Sequence, residues 1–307
     1  MRCGSAAQSG QKRNCGINIL TASRPFSILT AEGKGRFDMK IGIFFDHLRV
    51  ASDQTGLPLD KVVQEAAELG IDYVHINGEF WMNNEQRVDE MLAKAGLRVG
   101  AVDGFFGLTQ GKEMDKAEEL IRFMSRKGVE QLLLIPGFVH EAQSRQSAMD
   151  EAAKHMKHLV YLARSMHVQC SLEDFDNVSA PFGTWQELKW YMEQIPELRI
   201  SFDTGNFAYF AQDTLEAYEQ LAPYVCLVHL KDRKYEGRPG EKELAAVNGV
   251  KLFPSAVGSG EMPMGELIAR LKADGFDGCM TIEHFDSADM MADMRQSIHW
   301  IKEQLNM

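Results

Sequence analysis

The sequence predicts a single (β/α)₈ barrel, the TIM-barrel fold. From residue 39 onward, short apolar runs alternate with stretches of helical periodicity, which is typical of repeated strand–helix units around a parallel sheet. Eight units of each kind match a closed barrel, which typically has ~250 residues. The competing architecture, a doubly wound sheet, usually carries a Gly-x-Gly-x-x-Gly turn after an early strand, and this chain lacks that motif.

The predicted strands are the apolar runs, and the predicted helices occupy the periodic stretches between them. The strands are 40–45, 72–76, 98–103, 131–135, 168–174, 199–203, 225–231 and 278–283. The helices are 59–69, 85–95, 112–127, 145–166, 185–195, 214–221, 265–273 and 288–305. Several helical stretches end at a glycine, the residue that most often terminates a helix. Residues 233–260 are predicted to form one long irregular connection, of the kind that often carries substrate contacts.

Composition restricts the classes of protein to which the chain can belong. The 307 residues carry a net charge of −11 and have a pI near 5.3, which disfavours nucleic acid as a partner because phosphate binding needs a basic face. The sequence contains no run of about 18 apolar residues, the length that indicates a membrane-spanning helix. The five cysteines form no Cys-x-x-Cys pair, so the sequence predicts a reducing compartment and a cytoplasmic location.

Residues 1–38 differ from the remainder of the chain. They contain six basic and two acidic residues among many serines, glycines and alanines. Such a segment resembles an organelle transit peptide, but Met39 is followed at once by the first predicted strand. We therefore predict that residues 1–38 are an unstructured or non-native extension and that residues 39–307 form one catalytic barrel domain.

Four acidic or imidazole side chains stand at the ends of predicted strands: Glu173, Asp203, His229 and Glu283. Strand side chains alternate between faces, and these four share one parity, with serine or threonine two positions before each carboxylate. Each residue alone has an ordinary explanation, such as helix capping or ion pairing. Their recurrence at strand ends, where TIM-barrel active sites lie, predicts one metal site.

This quartet of three carboxylates and one imidazole favours a single divalent ion. Oxygen-rich ligand sets suit Mn²⁺, Mg²⁺ or Co²⁺, with Zn²⁺ as an alternative. Two glutamates beside such an ion are the arrangement needed to move a proton on and off a carbon next to a carbonyl. We therefore predict Glu173 and Glu283 as the catalytic acid/base pair and a small polar molecule as the substrate.

Several motifs around the quartet are similar to those of one family. They are Ser-Leu-Glu-Asp-Phe at 171–175, Ser-Phe-Asp-Thr-Gly-Asn at 201–206, Val-His-Leu-Lys-Asp at 228–232, Val-Gly-Ser-Gly-Glu-Met-Pro at 257–263 and Gly-Phe-Asp-Gly-Cys-Met-Thr-Ile-Glu at 275–283. These motifs resemble the sugar phosphate isomerase/epimerase family of xylose isomerase-like barrels, which includes tagatose 3-epimerase-like enzymes, hydroxypyruvate isomerases and inosose or dehydroshikimate dehydratases. The resemblance covers most of residues 39–305.

The resemblance places the family's metal quartet at Glu173, Asp203, His229 and Glu283. It implies an isomerase or epimerase of a ketose or small hydroxy-carbonyl sugar, acting by glutamate-mediated proton transfer through a metal-bound enediolate. The alternatives are a dehydratase, which begins with the same proton abstraction, and a non-catalytic sugar-binding barrel. The resemblance also implies a homodimer or tetramer. The additional histidines of the family's DNA-repair relatives are absent, which again disfavours nucleic acid.

Six further residues are candidate substrate contacts. Asn206 stands where the family's ketose 3-epimerases generally carry a histidine. Lys231 shares the parity of His229 and either reaches the pocket or extends into solvent at the rim. His75 lies within the second predicted strand. Aromatic residues follow the early strands, and although core packing is their more common role, we expect contributions from Phe45, Trp81 and Phe106.

Overall fold

The computed structural model describes residues 39–306, so the prediction for residues 1–38 lies outside the described part of the chain. Its strands are β1 (Lys40–Phe44), β2 (Tyr73–Asn77), β3 (Val99–Phe105), β4 (Gln131–Ile135), β5 (Gln169–Glu173), β6 (Arg199–Asp203), β7 (Val225–Leu230), β8 (Asp232–Lys234), β9 (Leu244–Ala245), β10 (Lys251–Ser255) and β11 (Cys279–Ile282). Eight of them form a closed barrel in the order β1-β11-β7-β6-β5-β4-β3-β2. All eight neighbouring pairs are parallel, which confirms the predicted (β/α)₈ barrel.

Ten α-helices occur in the described residues: α1 (Phe45–Thr55), α2 (Leu59–Leu69), α3 (Gly78–Asn83), α4 (Glu85–Ala95), α5 (Met114–Lys127), α6 (Arg145–Ser165), α7 (Trp185–Gln194), α8 (Thr214–Leu221), α9 (Met264–Ala273) and α10 (Met290–Leu305). Eight correspond to the predicted helices. The sequence did not predict α1 and α3, because each begins at the residue directly after a strand, with no intervening turn. None of the helices in residues 39–306 is both long enough and apolar enough to span a membrane.

The hydrophobic core lies between the barrel wall and the surrounding helices. Alternate strand residues, such as Ile41, Ile43, Leu172 and Phe202, are fully buried there against helix side chains. Burying each such side chain contributes ~1.5–3 kcal/mol to the free energy of folding. The opposite parity faces the barrel interior, so the alternation assumed in the sequence analysis holds for β5 and β6.

The barrel interior contains polar contacts and the Tyr73 ring, which packs in a small apolar cluster with Ala101 and Leu227. Ser171 and Ser201 lie 2.7 Å apart between their Oγ atoms, and the Tyr73 hydroxyl lies 2.8 Å from Thr281 Oγ1. The Tyr73 ring occupies the space next to Gly42, where a Cβ atom would lie 2.2 Å from the ring. Glycine is therefore required in β1 at this level. These contacts close the barrel below the quartet, so the open end lies at the strand C-termini.

A small antiparallel sheet follows β7 and corrects the prediction of an irregular connection at residues 233–260. In this sheet β10 pairs with both β8 and β9. Its strands are short, and β10 contains Pro254, a residue that is disfavoured in strands, so the sequence pattern did not reveal them. Leu244 of β9 lines the cavity at the barrel mouth, which places this sheet beside the candidate site.

Candidate metal centre and cavity

The four quartet side chains converge at the C-terminal end of the barrel. Glu173 and Asp203 are the last residues of β5 and β6, His229 lies near the end of β7, and Glu283 directly follows β11. Because these four strands are neighbours, the strand ends bring the side chains together. One ligand atom from each residue lies within 4.8 Å of every other, and all four residues are buried.

The imidazole of His229 faces the two glutamates. Its Nδ1 lies 2.9 Å from Glu173 Oε1 and 3.4 Å from Glu283 Oε2. Asp203 contributes differently, because its Oδ1 accepts hydrogen bonds of 2.8 Å from the backbone N–H groups of Gly205 and Asn206. Its Oδ2 is buried and has no hydrogen-bond partner. Lys231 Nζ lies 3.7 Å from this oxygen, beyond hydrogen-bond distance. Because a buried carboxylate oxygen without a hydrogen-bond donor is costly, a cation bound at Asp203 Oδ2 would be stabilising.

Charge repulsion and burial act together on the quartet. Burial, followed by the charge of Glu283, raises the pKa of Glu173 well above its usual value. Burial also raises the pKa of Asp203. For Glu283 burial acts in the same direction, but Lys231 and then His229 outweigh it and hold its pKa below the usual value. Burial and repulsion therefore favour protons on some of these carboxylates, and a divalent cation would take the place of those protons.

Lys231 lies inside the site and not at the solvent rim. Its Nζ is 2.6 Å from Glu283 Oε1 and donates a hydrogen bond of 2.7 Å to Asn206 Oδ1. The side chain is buried, which alone would lower its pKa, but Asp176, Asp203 and Glu283 together raise it. Lys231 is therefore a fixed positive charge beside the glutamate that it keeps ionised.

The loop after β6 holds this lysine in place. Thr204 Oγ1 donates to the carbonyl of Lys231 and accepts from its backbone N–H, both at 2.8 Å. Asn206 Nδ2 donates to the carbonyl of Asp174 at 2.8 Å, which leaves Asn206 Oδ1 to the lysine. Asn206 thus links β5, β6 and β7 beside the quartet.

A cavity of about 470 Å³ opens above the quartet. Both glutamates line it, together with the predicted contacts Asn206 and Lys231. Its aromatic walls are Phe44, Phe105, Phe175 and Phe285. This volume lies within the range of small-molecule sites, and the mixed polar and aromatic lining suits a sugar-sized ligand.

The other four predicted substrate contacts lie away from the cavity lining. His75 is buried beneath it, stacked on Phe44 at 4.4 Å between ring centroids. Phe45, Trp81 and Phe106 all belong to the hydrophobic core between strands and helices. At β1 the alternation of side chains explains why Phe45 is not in the lining. Gly42 pairs with Thr281 and faces the barrel interior. Phe44, two residues later, faces the same way, and its neighbour Phe45 therefore faces the core.

Sequence reasoning missed several polar residues that line the cavity, among them Asn77, Asp103 and Asp176. Asp103 was the last residue of a predicted strand, so the signal that identified the quartet applied to it as well. Asp176 gave no such signal, because it lies in the loop after β5. Arg233 also lines the cavity and donates a 2.6 Å hydrogen bond to Asp176.

The fold and this site define a parallel (β/α)₈ barrel with a candidate divalent-metal centre at its C-terminal mouth. The profile of the xylose isomerase-like TIM-barrel family matches residues 63–304. The chain belongs to that family. A comparison with curated proteins found no significant match.

Several solved structures have the same barrel, and their alignments with this chain include nearly their whole length. The probable 3-DHS dehydratase AsbF of Bacillus anthracis has 16% identity and a TM-score of 0.67, over 86% of this chain and 99% of that one. D-Psicose 3-epimerase with D-tagatose, from Clostridium cellulolyticum H10, has 15% identity and a TM-score of 0.64, over 87% and 99%. A xylose isomerase-like protein from Mycobacterium smegmatis in complex with magnesium has 16% identity and a TM-score of 0.65, over 88% and 96%. At these identities the likeness establishes a shared fold.

Proposed function

We propose that the protein is a divalent-metal-dependent isomerase or epimerase of a ketose or small hydroxy-carbonyl sugar. The observation that carries this proposal is the buried quartet, in which two glutamates flank one histidine and one oxygen of Asp203 accepts no hydrogen bond. Family membership supports it, as does the presence of an epimerase with a bound ketose among the proteins of the same fold.

The residues present fit one divalent ion. Glu173, Asp203, His229 and Glu283 would hold it, and Asp203 Oδ2, which accepts no hydrogen bond, supplies a buried negative oxygen for the purpose. The ligand set suits Mn²⁺, Mg²⁺ or Co²⁺, with Zn²⁺ as an alternative. When bound, the ion would polarise a substrate carbonyl and make the neighbouring C–H group more acidic.

The side chains of the chain itself would move the proton. Glu283, kept ionised by Lys231, takes the proton from the carbon next to the carbonyl. Glu173 acquires a proton from solvent water and delivers it to the resulting enediolate, and Glu283 then releases its proton to solvent. Lys231 also lies where it can offset negative charge that develops on the substrate. Return of the proton to the opposite face gives an epimer, and return to the neighbouring carbon gives an isomer.

The test is solvent exchange with a panel of ketoses and inosose in D₂O with Mn²⁺, followed by proton NMR. We expect deuterium at a carbon next to the carbonyl, and we expect Glu283→Gln to abolish it, because the amide cannot accept the proton. Glu236→Gln, an exposed glutamate, is the control. Exchange in Glu283→Gln at the wild-type rate would contradict the assignment. Loss of a β-hydroxyl during exchange would identify a dehydratase instead.

The proposal extends to the assembly and location of the protein. We expect a cytoplasmic homodimer or tetramer that acts on a small sugar or polyol-derived substrate. Size-exclusion chromatography with light scattering measures the assembly, and a monomeric mass would contradict that part of the proposal.

A further inference from the structure

One acidic residue of the cavity has no role in the proposed chemistry. Asp103, near the end of β3, is only 7% exposed and lines the cavity. Its Oδ2 accepts a 2.8 Å hydrogen bond from Asn77 Nδ2. Its Oδ1 lies 3.8 Å from Nε2 of His75, beyond hydrogen-bond distance, and burial keeps that imidazole neutral by lowering its pKa. Within the described residues, Asp103 thus has no lysine or arginine to balance its charge.

The cations that line the cavity, in contrast, all have carboxylate partners. Lys231 pairs with Glu283, and Arg233 pairs with Asp176 at 2.6 Å. Lys242 Nζ lies 3.0 Å from Asp286 Oδ1. Arg233 retains an unpartnered Nε, but its charge is matched by that of Asp176. The described lining therefore offers no unpaired cation for a phosphate group.

Asp103 faces the quartet from the other half of the barrel. The quartet stands on the neighbouring strands β5, β6 and β7 and next to β11, whereas Asp103 and Asn77 stand on β3 and β2. A substrate held at the quartet and filling the cavity therefore extends toward Asp103. Burial, and to a smaller extent the charge of the nearby Asp46, raises the pKa of Asp103 to about 6, so its carboxylate is mainly ionised at neutral pH.

We infer that Asp103 accepts a hydrogen bond from a hydroxyl at the end of the substrate remote from the quartet, and that this end is unphosphorylated. The inference rests on the proposed function and narrows it to neutral polyol substrates. A buried carboxylate binds hydroxyl donors well, because hydrogen bonds to charged groups are strong. The same carboxylate repels a phosphate, and no unpaired cation compensates.

The experiment titrates the manganese-loaded, full-length protein with matched pairs of probes in a calorimeter. Each pair is a ketohexose, such as D-tagatose, D-fructose or D-psicose, and its 6-phosphate. We expect at least one free sugar to bind about tenfold more tightly than its phosphate, since loss of one charged contact and added repulsion exceed ~1.4 kcal/mol. The comparison within the wild-type protein needs no variant.

Asp103→Asn tests the residue itself. The amide keeps the shape and the contact to Asn77 but loses the charge, so affinity for the free sugar should fall about tenfold and discrimination against the phosphate should shrink. Turnover of the selected sugar should show a raised KM with kcat within about twofold, because the contact is made equally in substrate and transition state. Manganese affinity should be unchanged. Asp115→Asn, at an exposed position of α5, is the control for net charge.

The possible results distinguish failure of the inference from failure of the proposed function. Phosphates binding as tightly as the free sugars would overturn the inference while leaving the proposed function intact. Selective binding of free sugars that is unaltered in Asp103→Asn would overturn the role of Asp103. Binding of neither kind of sugar by the manganese-loaded protein would overturn the inference, and the absence of solvent exchange across the panel of ketoses and inosose would overturn the proposed function as well.

Discussion

At the scale of single residues, Asp203 shows what the sequence can and cannot specify. Its type, its place at a strand end and the face on which it lies follow from alternation in the sequence. Which oxygen remains free does not, because that depends on the loop in which Gly205 and Asn206 donate to Oδ1. The position of Asp203 is therefore set by strand β6, whereas the loop after β6 determines which of its two oxygens accepts no hydrogen bond.

Lys231 leads to a prediction about pH. Replacing it with methionine removes the charge that holds the pKa of Glu283 down against burial, so this pKa should rise. Glu283 would then stay protonated to higher pH, and the acidic limb of the solvent-exchange rate should move to higher pH. Lys242→Met, which removes a cation at the cavity mouth, is the control. An acidic limb at the wild-type pH would contradict this role for Lys231.

At the scale of elements, the barrel strands and the main helices were predictable because each has its own periodicity or apolar run. The small sheet β8–β10–β9 was not, since its strands are short and it depends on pairing between distant residues. The predicted aromatic contacts Phe45, Trp81 and Phe106 lie in the hydrophobic core and not in the cavity lining. At β1 the alternation alone distinguishes the two rings, because Phe45 shares the parity of the core residues Ile41 and Ile43, whereas Phe44 has the opposite parity and lines the cavity.

Asp232 fixes the segment that follows the small sheet. Its carboxylate accepts backbone N–H groups from Gly258 and Gly260 at 2.9 Å and from Met262 at 3.2 Å. In Asp232→Asn one carboxylate oxygen becomes an amide nitrogen, which cannot accept a hydrogen bond. In one orientation of the amide the bonds from Gly258 and Gly260 are lost, and in the other the bond from Met262 is lost. We expect hydrogen exchange across residues 256–262 to accelerate about 10- to 100-fold, measured by mass spectrometry.

Asp286→Asn is the matched control for this experiment, because Asp286 lies at the same mouth and its positive φ of 66° suits asparagine. Equal exchange in the two variants would contradict the structural role of Asp232.

At the scale of the whole molecule, the closed barrel keeps four histidines buried and neutral. His47, His75, His229 and His284 all have pKa values lowered mainly by burial. The unfolded chain would bind protons at these side chains near pH 6.5, before the folded protein does. Their contribution to stability is therefore complete above this pH and is lost as the pH falls below it.

His284 makes this effect measurable, because burial lowers its pKa to about 4. In urea unfolding with a metal chelator present, His284→Gln should reduce the loss of unfolding free energy between pH 7 and pH 5 by about 2 kcal/mol. The exposed His299→Gln is the control. An identical pH dependence in wild type and His284→Gln would show that this histidine is not kept neutral by folding.

The most direct test of the whole account is a calorimetric titration of the chelator-treated protein with Mn²⁺ at pH 6 and pH 8. We predict one ion per chain, bound more tightly at pH 8, because burial and repulsion raise the pKa values of Glu173 and Asp203 and the ion must displace their protons. Asp203→Asn should weaken binding at least about 100-fold, while Asp286→Asn should leave it unchanged. No binding, or equal affinity in wild type and Asp203→Asn, would contradict the metal centre.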